Sequence, residues 1–188
     1  FHFFLYKKLL KSIFIGTLPI IGVGIIIKLF LSEFFNSFLR SNLSIALASI
    51  LMALIMLFAD ISRNKHVNIK NHKYLDSFFV GIAQSLAIIP GISRSGATIS
   101  FALLLGWERE DAAKFSFLLG IPSITLAALV EFFNSINEFS TFPFFPLIVG
   151  LISTFFSSLW AINFLIKYLP SNGLKVFVYY RLLFGILI

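Results

Sequence analysis

The chain of 188 residues has no cysteine, so it carries neither a disulfide framework nor thiolate chemistry, and its redox compartment stays open. Charge is scarce as well. Asp, Glu, Lys and Arg together make up 12% of the residues, against about 25% in a typical soluble domain. Strict polar–apolar alternation over segments of about ten residues is missing, which excludes an outer-membrane barrel. There is no low-complexity linker and no stretch with the composition of a soluble domain. No small-residue cleavage site follows a basic start, so the N-terminus is not a signal peptide. The three histidines, His2, His66 and His72, show no metal-ligand spacing, and no role is assigned to them.

Apolar surface is what the chain has in abundance: 59% of residues are hydrophobic, 25 are phenylalanine, and the mean hydropathy is +0.97. This is the composition of an all-α polytopic membrane protein, read as a single integral membrane domain over 1–188. Five spans are expected, at 12–31, 42–59, 115–133, 144–166 and 174–188. Between the second and third lies a segment of about 75–105 whose two apolar arms have only about 10–14 residues each. A helical crossing needs about 20. Two short helices around a Pro/Gly break read as a re-entrant hairpin, because irregular backbone at membrane depth survives only where it is buried in protein or lines a wet cavity. The opening Phe1-His2-Phe3-Phe4-Leu5-Tyr6-Lys7-Lys8 reads as the tail of an earlier membrane segment, so an N-terminally incomplete protein is expected.

The net charge of +7 reflects topology rather than nucleic-acid binding, because the basic residues sit between apolar spans. Five crossings and one re-entrant loop put Lys7, Lys8, Lys11, Arg63, Lys65, Lys70, Lys73, Arg109, Lys114, Lys167 and Lys175 on one face. The opposite loops hold Lys28, Arg40, Glu33, Glu131 and Glu138, nearly balanced. Excess lysine and arginine marks the cytoplasm, which places the C-terminus outside. The run Glu108-Arg109-Glu110-Asp111 is expected to be a solvated interfacial loop. Arg181, inside the last span, either snorkels to the interface or faces the interior as a partner.

The chemistry concentrates in Pro90-Gly91-Ile92-Ser93-Arg94-Ser95-Gly96-Ala97-Thr98. An arginine in a membrane break marks a functional site, and this run has the parts of an oxyanion clamp. Arg94 offers a planar, bidentate fork to phosphate oxygens. Ser93 or Ser95 would cap the second short helix, and Thr98 falls one turn beyond Ser95. Gly91 and Gly96 permit tight turning and close approach. Turn chemistry alone also explains Pro-Gly with serines, but it does not explain an arginine between arms too short to span. Gln84, in the otherwise apolar first arm, either serves the site or glues two helices. A serine-hydrolase reading lacks a base, since the hairpin has no His, Asp or Glu near its tip and Asp76 stands at its entrance.

Gln84-Ser85-Leu86-Ala87-Ile88-Ile89-Pro90-Gly91-Ile92-Ser93-Arg94-Ser95-Gly96-Ala97-Thr98-Ile99 closely resembles the second motif of the undecaprenyl-diphosphatase family, also called bacitracin-resistance proteins. The resemblance continues through Ala112-Ala113-Lys114-Phe115-Ser116-Phe117-Leu118-Leu119-Gly120-Ile121-Pro122 and Tyr180-Arg181, and covers essentially the whole chain. It implies an inverted-topology repeat with a re-entrant hairpin in each half, in a multi-pass enzyme of the bacterial plasma membrane. That enzyme converts the lipid carrier undecaprenyl diphosphate to undecaprenyl phosphate for peptidoglycan synthesis, conferring bacitracin resistance. Ser93, Arg94 and Thr98 match the catalytic motif position by position. Ser95, Gly96, Gly91 and Gln84 fall at substrate-binding positions, Gln84 where the first hairpin has a glutamate. The resemblance also implies a divalent cation, Mg²⁺ or Ca²⁺, whose ligands are not in this chain, and it leaves a homodimer open. The family's first hairpin, with its paired glutamates, has no counterpart here, so the chain alone is expected to be inactive.

A lipid flippase or anion transporter is the alternative, because broken helices around an anion are also the transporter solution. A pure scaffold would leave Arg94 unexplained.

Overall fold

The computed structural model describes residues 2–31, 33, 39–62, 66–135 and 144–188, and among them the chain forms seven α-helices. They are α1 (His2–Phe30), α2 (Asn42–Ile61), α3 (Tyr74–Leu86), α4 (Arg94–Leu104), α5 (Arg109–Asn134), α6 (Phe144–Asn172) and α7 (Lys175–Leu187). Four segments are long and apolar enough to cross a membrane: Tyr6–Phe30, Asn42–Ile61, Arg109–Asn134 and Phe144–Asn172. The all-α polytopic class follows. Arg63, Lys65 and Glu138, used above to orient the bundle, lie outside the described residues.

Helix α7, where the fifth span is expected, has 13 residues and packs along α2. The polar run at 108–111 is corrected, since it is not a loop. Glu108 is the N-cap of α5, and Arg109, Glu110 and Asp111 form its first turn. The two acidic residues suit the positive end of a helix, and two of the three side chains reach to other elements. Arg109 Nε donates to Asp60 Oδ1 at 2.9 Å, and Asp111 Oδ2 accepts the Ile69 N–H at 2.9 Å.

The short helices are the packed ones. Arms α3 and α4 lie against each other, α3 also rests on α1, and α4 is flanked by α2 and α5. Where α1 meets α3 the backbones touch: a Cβ on Gly81 would stand 2.9 Å from the Cα of Gly16. Small residues at such crossings let helices approach closely, which is how helix pairs gain contact in a membrane. Around α4 the core gathers Met52, Met56, Val80, Leu103, Trp107, Phe115 and Leu119.

One end of the bundle is fastened by Asp60, the penultimate residue of α2. Its carboxylate takes Arg109 on one oxygen and the Leu174 N–H on the other, at 3.0 Å. Three elements therefore meet at one side chain that is only 6% exposed. Beside it, the loop before α3 pairs with the turn after α4: the Val67 N–H donates to Gly106 O and the Glu108 N–H to Val67 O.

Candidate functional site

The break between α3 and α4 is built by its own sequence. Helix α3 ends in successive turns, with the Ala87, Ile88 and Ile89 N–H groups donating to carbonyls three residues back. Gly91 then takes φ +93°, a left-handed backbone that side chains disfavour. A Cβ there would also stand 2.5 Å from Ile45 O on α2, so two independent constraints require glycine. Ser93 caps α4 from an extended conformation, its Oγ accepting the Gly96 N–H at 3.1 Å. The cap is therefore Ser93, while the Ser95 hydroxyl lies 3.4 Å from that of Ser93.

The first turn of α4 has two chemically different sides. On the α5 side lies Arg94. A Cβ on Gly120 would sit 2.6 Å from Cζ and 2.7 Å from Nη2 of Arg94, so the guanidinium occupies the space that the missing side chain leaves. Its Nη1 is buried and has no hydrogen-bond partner. One turn along α5, Ser123 donates to Oε1 of the fully buried Gln84 at 3.2 Å, and Gln84 Nε2 also has no partner. One turn the other way, Ser116 and Thr98 share a hydroxyl–hydroxyl bond of 2.5 Å. Ser116, Gly120 and Ser123 thus form one stripe of α5, set against Thr98, Arg94 and Gln84 in turn.

The other side of the turn faces α7. A cavity of about 150 Å³ is lined there by Ser93, Ser95, Gly96, Tyr180 and Arg181 over an apolar floor that includes Met56 and Ile99. Arg181 Nη1 donates to Gly91 O at 2.8 Å, and a neighbouring hollow of about 260 Å³ opens between Arg181, Gly91 and Ser49. A larger apolar groove of about 390 Å³ at Leu10, Phe14 and Tyr74 is remote from the motif in its lining.

The seven expected site residues therefore do not form one cluster. Ser93, Ser95 and Gly96 line the cavity toward α7, and Gly91 lines the hollow beside it. Arg94 and Gln84 sit on the α5 side. Thr98 lines neither space: its hydroxyl is 1% exposed as part of a buried residue, and it bonds to Arg94 O at 2.9 Å as well as to Ser116. It braces the turn that carries Arg94.

The unpaired groups decide which ligand the place suits. Arg94 Nη1 and Gln84 Nε2 are donors, and buried donors without acceptors carry a free-energy cost that an oxygen-rich anion would relieve. Ser77 Oγ, Ser100 Oγ and Trp107 Nε1 are unpaired too, but Arg94 alone of the five residues is charged. Among the described residues no three His, Cys, Asp or Glu side chains come together, and the one carboxamide oxygen, Gln84 Oε1, already accepts from Ser123.

The profile of the family described as "Bacitracin resistance protein BacA" matches residues 5–187. The chain belongs to the BacA family. Among similar relatives, the undecaprenyl-diphosphatase of Prochlorococcus marinus subsp. pastoris (strain CCMP1986 / NIES-2087 / MED4) is 72% identical over 185 residues, covering 98% of this chain and 70% of the relative. The proteins of that name from P. marinus strains MIT 9312 and MIT 9313 are 61% and 49% identical, over 100% and 94% of this chain and 70% and 59% of their own lengths.

For this BacA-family chain, sequence reasoning singled out Arg94 and its flanking serines, but it missed Ser116, Gly120 and Ser123. Their signal was present as small residues at i, i+4 and i+7 on an apolar helix, though nothing in the sequence says what they face. Arg181, left open between interface and interior, turns inward to the break.

Proposed function

We propose that the chain carries the anion-binding half of an undecaprenyl-diphosphatase of the bacterial plasma membrane, which releases inorganic phosphate from undecaprenyl diphosphate. The observation that supports this reading is the buried, unpaired Nη1 of Arg94 seated against Gly120, with the unpaired Gln84 Nε2 a turn away. Water attacks the terminal phosphorus in line with the bridging oxygen. The P–O bond to that oxygen breaks, the lipid leaves as its monophosphate, and the water's proton is given up.

Most of the protein's contribution to such a transfer is positioning and stabilisation of charge on the three equatorial oxygens. Arg94 does this with a guanidinium whose Nη1 is buried and which is seated against Gly120, so little reorganisation is needed as charge develops. Thr98 and Ser116 fix the turn from which Arg94 projects. Among the described residues no carboxylate pairs with Arg94, so the base that takes the proton comes from outside them. The divalent cation implied by the resemblance would also draw its ligands from elsewhere.

The test uses a polypeptide in which this chain is joined to the family's first hairpin, called the full-length protein below. Phosphate release from undecaprenyl diphosphate in detergent should fall by roughly 1,000-fold or more in Arg94→Ala, because one preorganised donor to a developing oxyanion is worth about 100–1,000-fold and here two are lost. Arg94→Lys should lose most of the rate, since a point charge cannot reproduce the bidentate fork. Near-normal release by a monodisperse Arg94→Ala protein would remove Arg94 from the reaction. Substrate movement across vesicles without phosphate release would favour the transporter reading.

A further inference from the structure

We infer that Arg181 is a second anion-binding residue of the same substrate site, holding the phosphate nearer the lipid while Arg94 holds the terminal one. The inference rests on the diphosphatase reading for the identity of its ligand, but the geometry behind it is separate. Arg181 comes from α7, far along the chain, and meets the opposite side of the α4 first turn from Arg94. Arg181 lines the cavity of about 150 Å³ together with Ser93 and Ser95. At the end of helix α4 the Gly96 N–H is already taken by Ser93. What the cavity offers is a fixed cation and two hydroxyls over apolar side chains.

That mixture matches the proximal part of a lipid diphosphate. A terminal phosphate has only oxygens to present, and on the Arg94 side the guanidinium Nη1 is buried against Gly120. The proximal phosphate carries a hydrocarbon chain, which must run out into the membrane. On the Arg181 side Met56, Ile99, Leu165 and Phe177 line the way, and Tyr180 stands 65% exposed at the bundle surface. A guanidinium can spend one N–H on Gly91 O and still present others to a phosphate, having five in all.

The competing role for Arg181 is a fastener that holds Gly91 in place. Three variants of the full-length protein separate the two. Arg181→Gln keeps an amide donor for Gly91 O but removes the charge, Arg181→Lys keeps the charge, and Arg181→Met keeps neither. As an anion-binding residue, Arg181 predicts that Gln and Met raise KM for undecaprenyl diphosphate by roughly 10–100-fold, as expected for losing a charged hydrogen bond. Lys recovers part of that loss, and kcat changes far less than KM. Inhibition by inorganic pyrophosphate weakens in the Gln variant more than inhibition by inorganic phosphate does. As a fastener alone, Arg181 predicts that Gln behaves like the parent and Lys does not, and that outcome overturns the inference.

If the parent protein releases no phosphate, the diphosphatase reading fails by itself. Binding of inorganic pyrophosphate, measured directly on parent and Arg181→Gln proteins, then decides the second site: a parent-like affinity in the variant overturns it, and a weakened one supports it.

Discussion

Helices α4 and α6 lie in the same apolar protein, yet α4 buries Gly96, Ala97, Thr98, Ile99, Ser100, Ala102 and Leu103, whereas α6 buries Leu169 alone. In a soluble protein the order would be reversed, with the large apolar residues of α6 inside and the hydroxyls of α4 outside. A bilayer removes the reason to hide Phe155, Phe156 and Trp160, which are 60–72% exposed, because lipid tails are as apolar as they are. It gives the small and polar residues a reason to pack, because an unsatisfied hydroxyl or guanidinium in hydrocarbon costs far more than one in water. Along these two helices apolar bulk marks the outside and small or polar residues mark the inside, and the candidate site residues follow the second group.

The comparison can be broken most severely at Gly120. Replacing it with alanine puts a methyl group where the Arg94 guanidinium lies, and the far end of a flexible side chain yields more readily than backbone. The fold should therefore survive while the guanidinium moves by about an ångström, which costs on the order of 100-fold in rate. Thermal melting and phosphate release measured on the same full-length sample check both halves, and a rate within twofold of the parent would show that the seat is not needed.

Asp60→Ala should act on stability instead. It leaves the Leu174 N–H and Arg109 without their shared acceptor at a buried junction, and a loss of about 1–3 kcal/mol is expected. The partly exposed Arg109 keeps the figure below that of a fully buried pair. Detergent-solubilised melting reads it, with Arg109→Gln expected to lose less because Leu174 keeps its acceptor.

His72 adds a pH dependence from the loop before α3. Its Nδ1–H donates to Ile69 O at 2.8 Å, so the neutral ring accepts the Ser12 hydroxyl on Nε2 at 2.6 Å. Burial, reinforced by Lys8, holds the imidazole below its ordinary value of 6.5, against the opposing pull of the Ile69 carbonyl and Asp76. The unfolded chain therefore binds the proton more readily. The stabilisation is fully present above about pH 6.5 and is lost as pH falls below it. Melting temperature should drop across that interval in the parent and flatten in His72→Gln.

The smallest effect is expected on α6. Trp160→Ala removes a ring that is 72% exposed and stacked on Phe164 at 5.8 Å, and it should change stability by no more than about 0.5 kcal/mol with phosphate release intact. A large loss of activity there would mean that α6 has a packing partner beyond α5.

Much of this was legible in the chain. Pro90-Gly91 between two apolar arms of limited length pointed to two short helices around a break, and α3 and α4 are such a pair. Arg94 stood out in the same stretch, as a charge with nowhere solvated to go. What the sequence hid depends on distance in space. Glu108 to Asp111 looked like loop because their charges suit water equally well, and only Asp60 and Ile69 show that they begin a helix. Thr98 shares a helical face with Ser95 by spacing, but its hydroxyl turns to Ser116 on a neighbouring helix. Arg181 could not be assigned until α7 was seen beside Gly91.

The contact between Gly16 and Gly81 has a mechanical consequence. Two helices whose main chains touch cannot roll past each other without rupturing that contact, so the first arm of the hairpin and α1 form one stiff unit. Between the second arm and α7 lies the cavity of about 150 Å³, and Arg181 of α7 reaches Gly91 O in the break. Any widening of that cavity therefore belongs to the α7 side, with the α1 side acting as the fixed jaw.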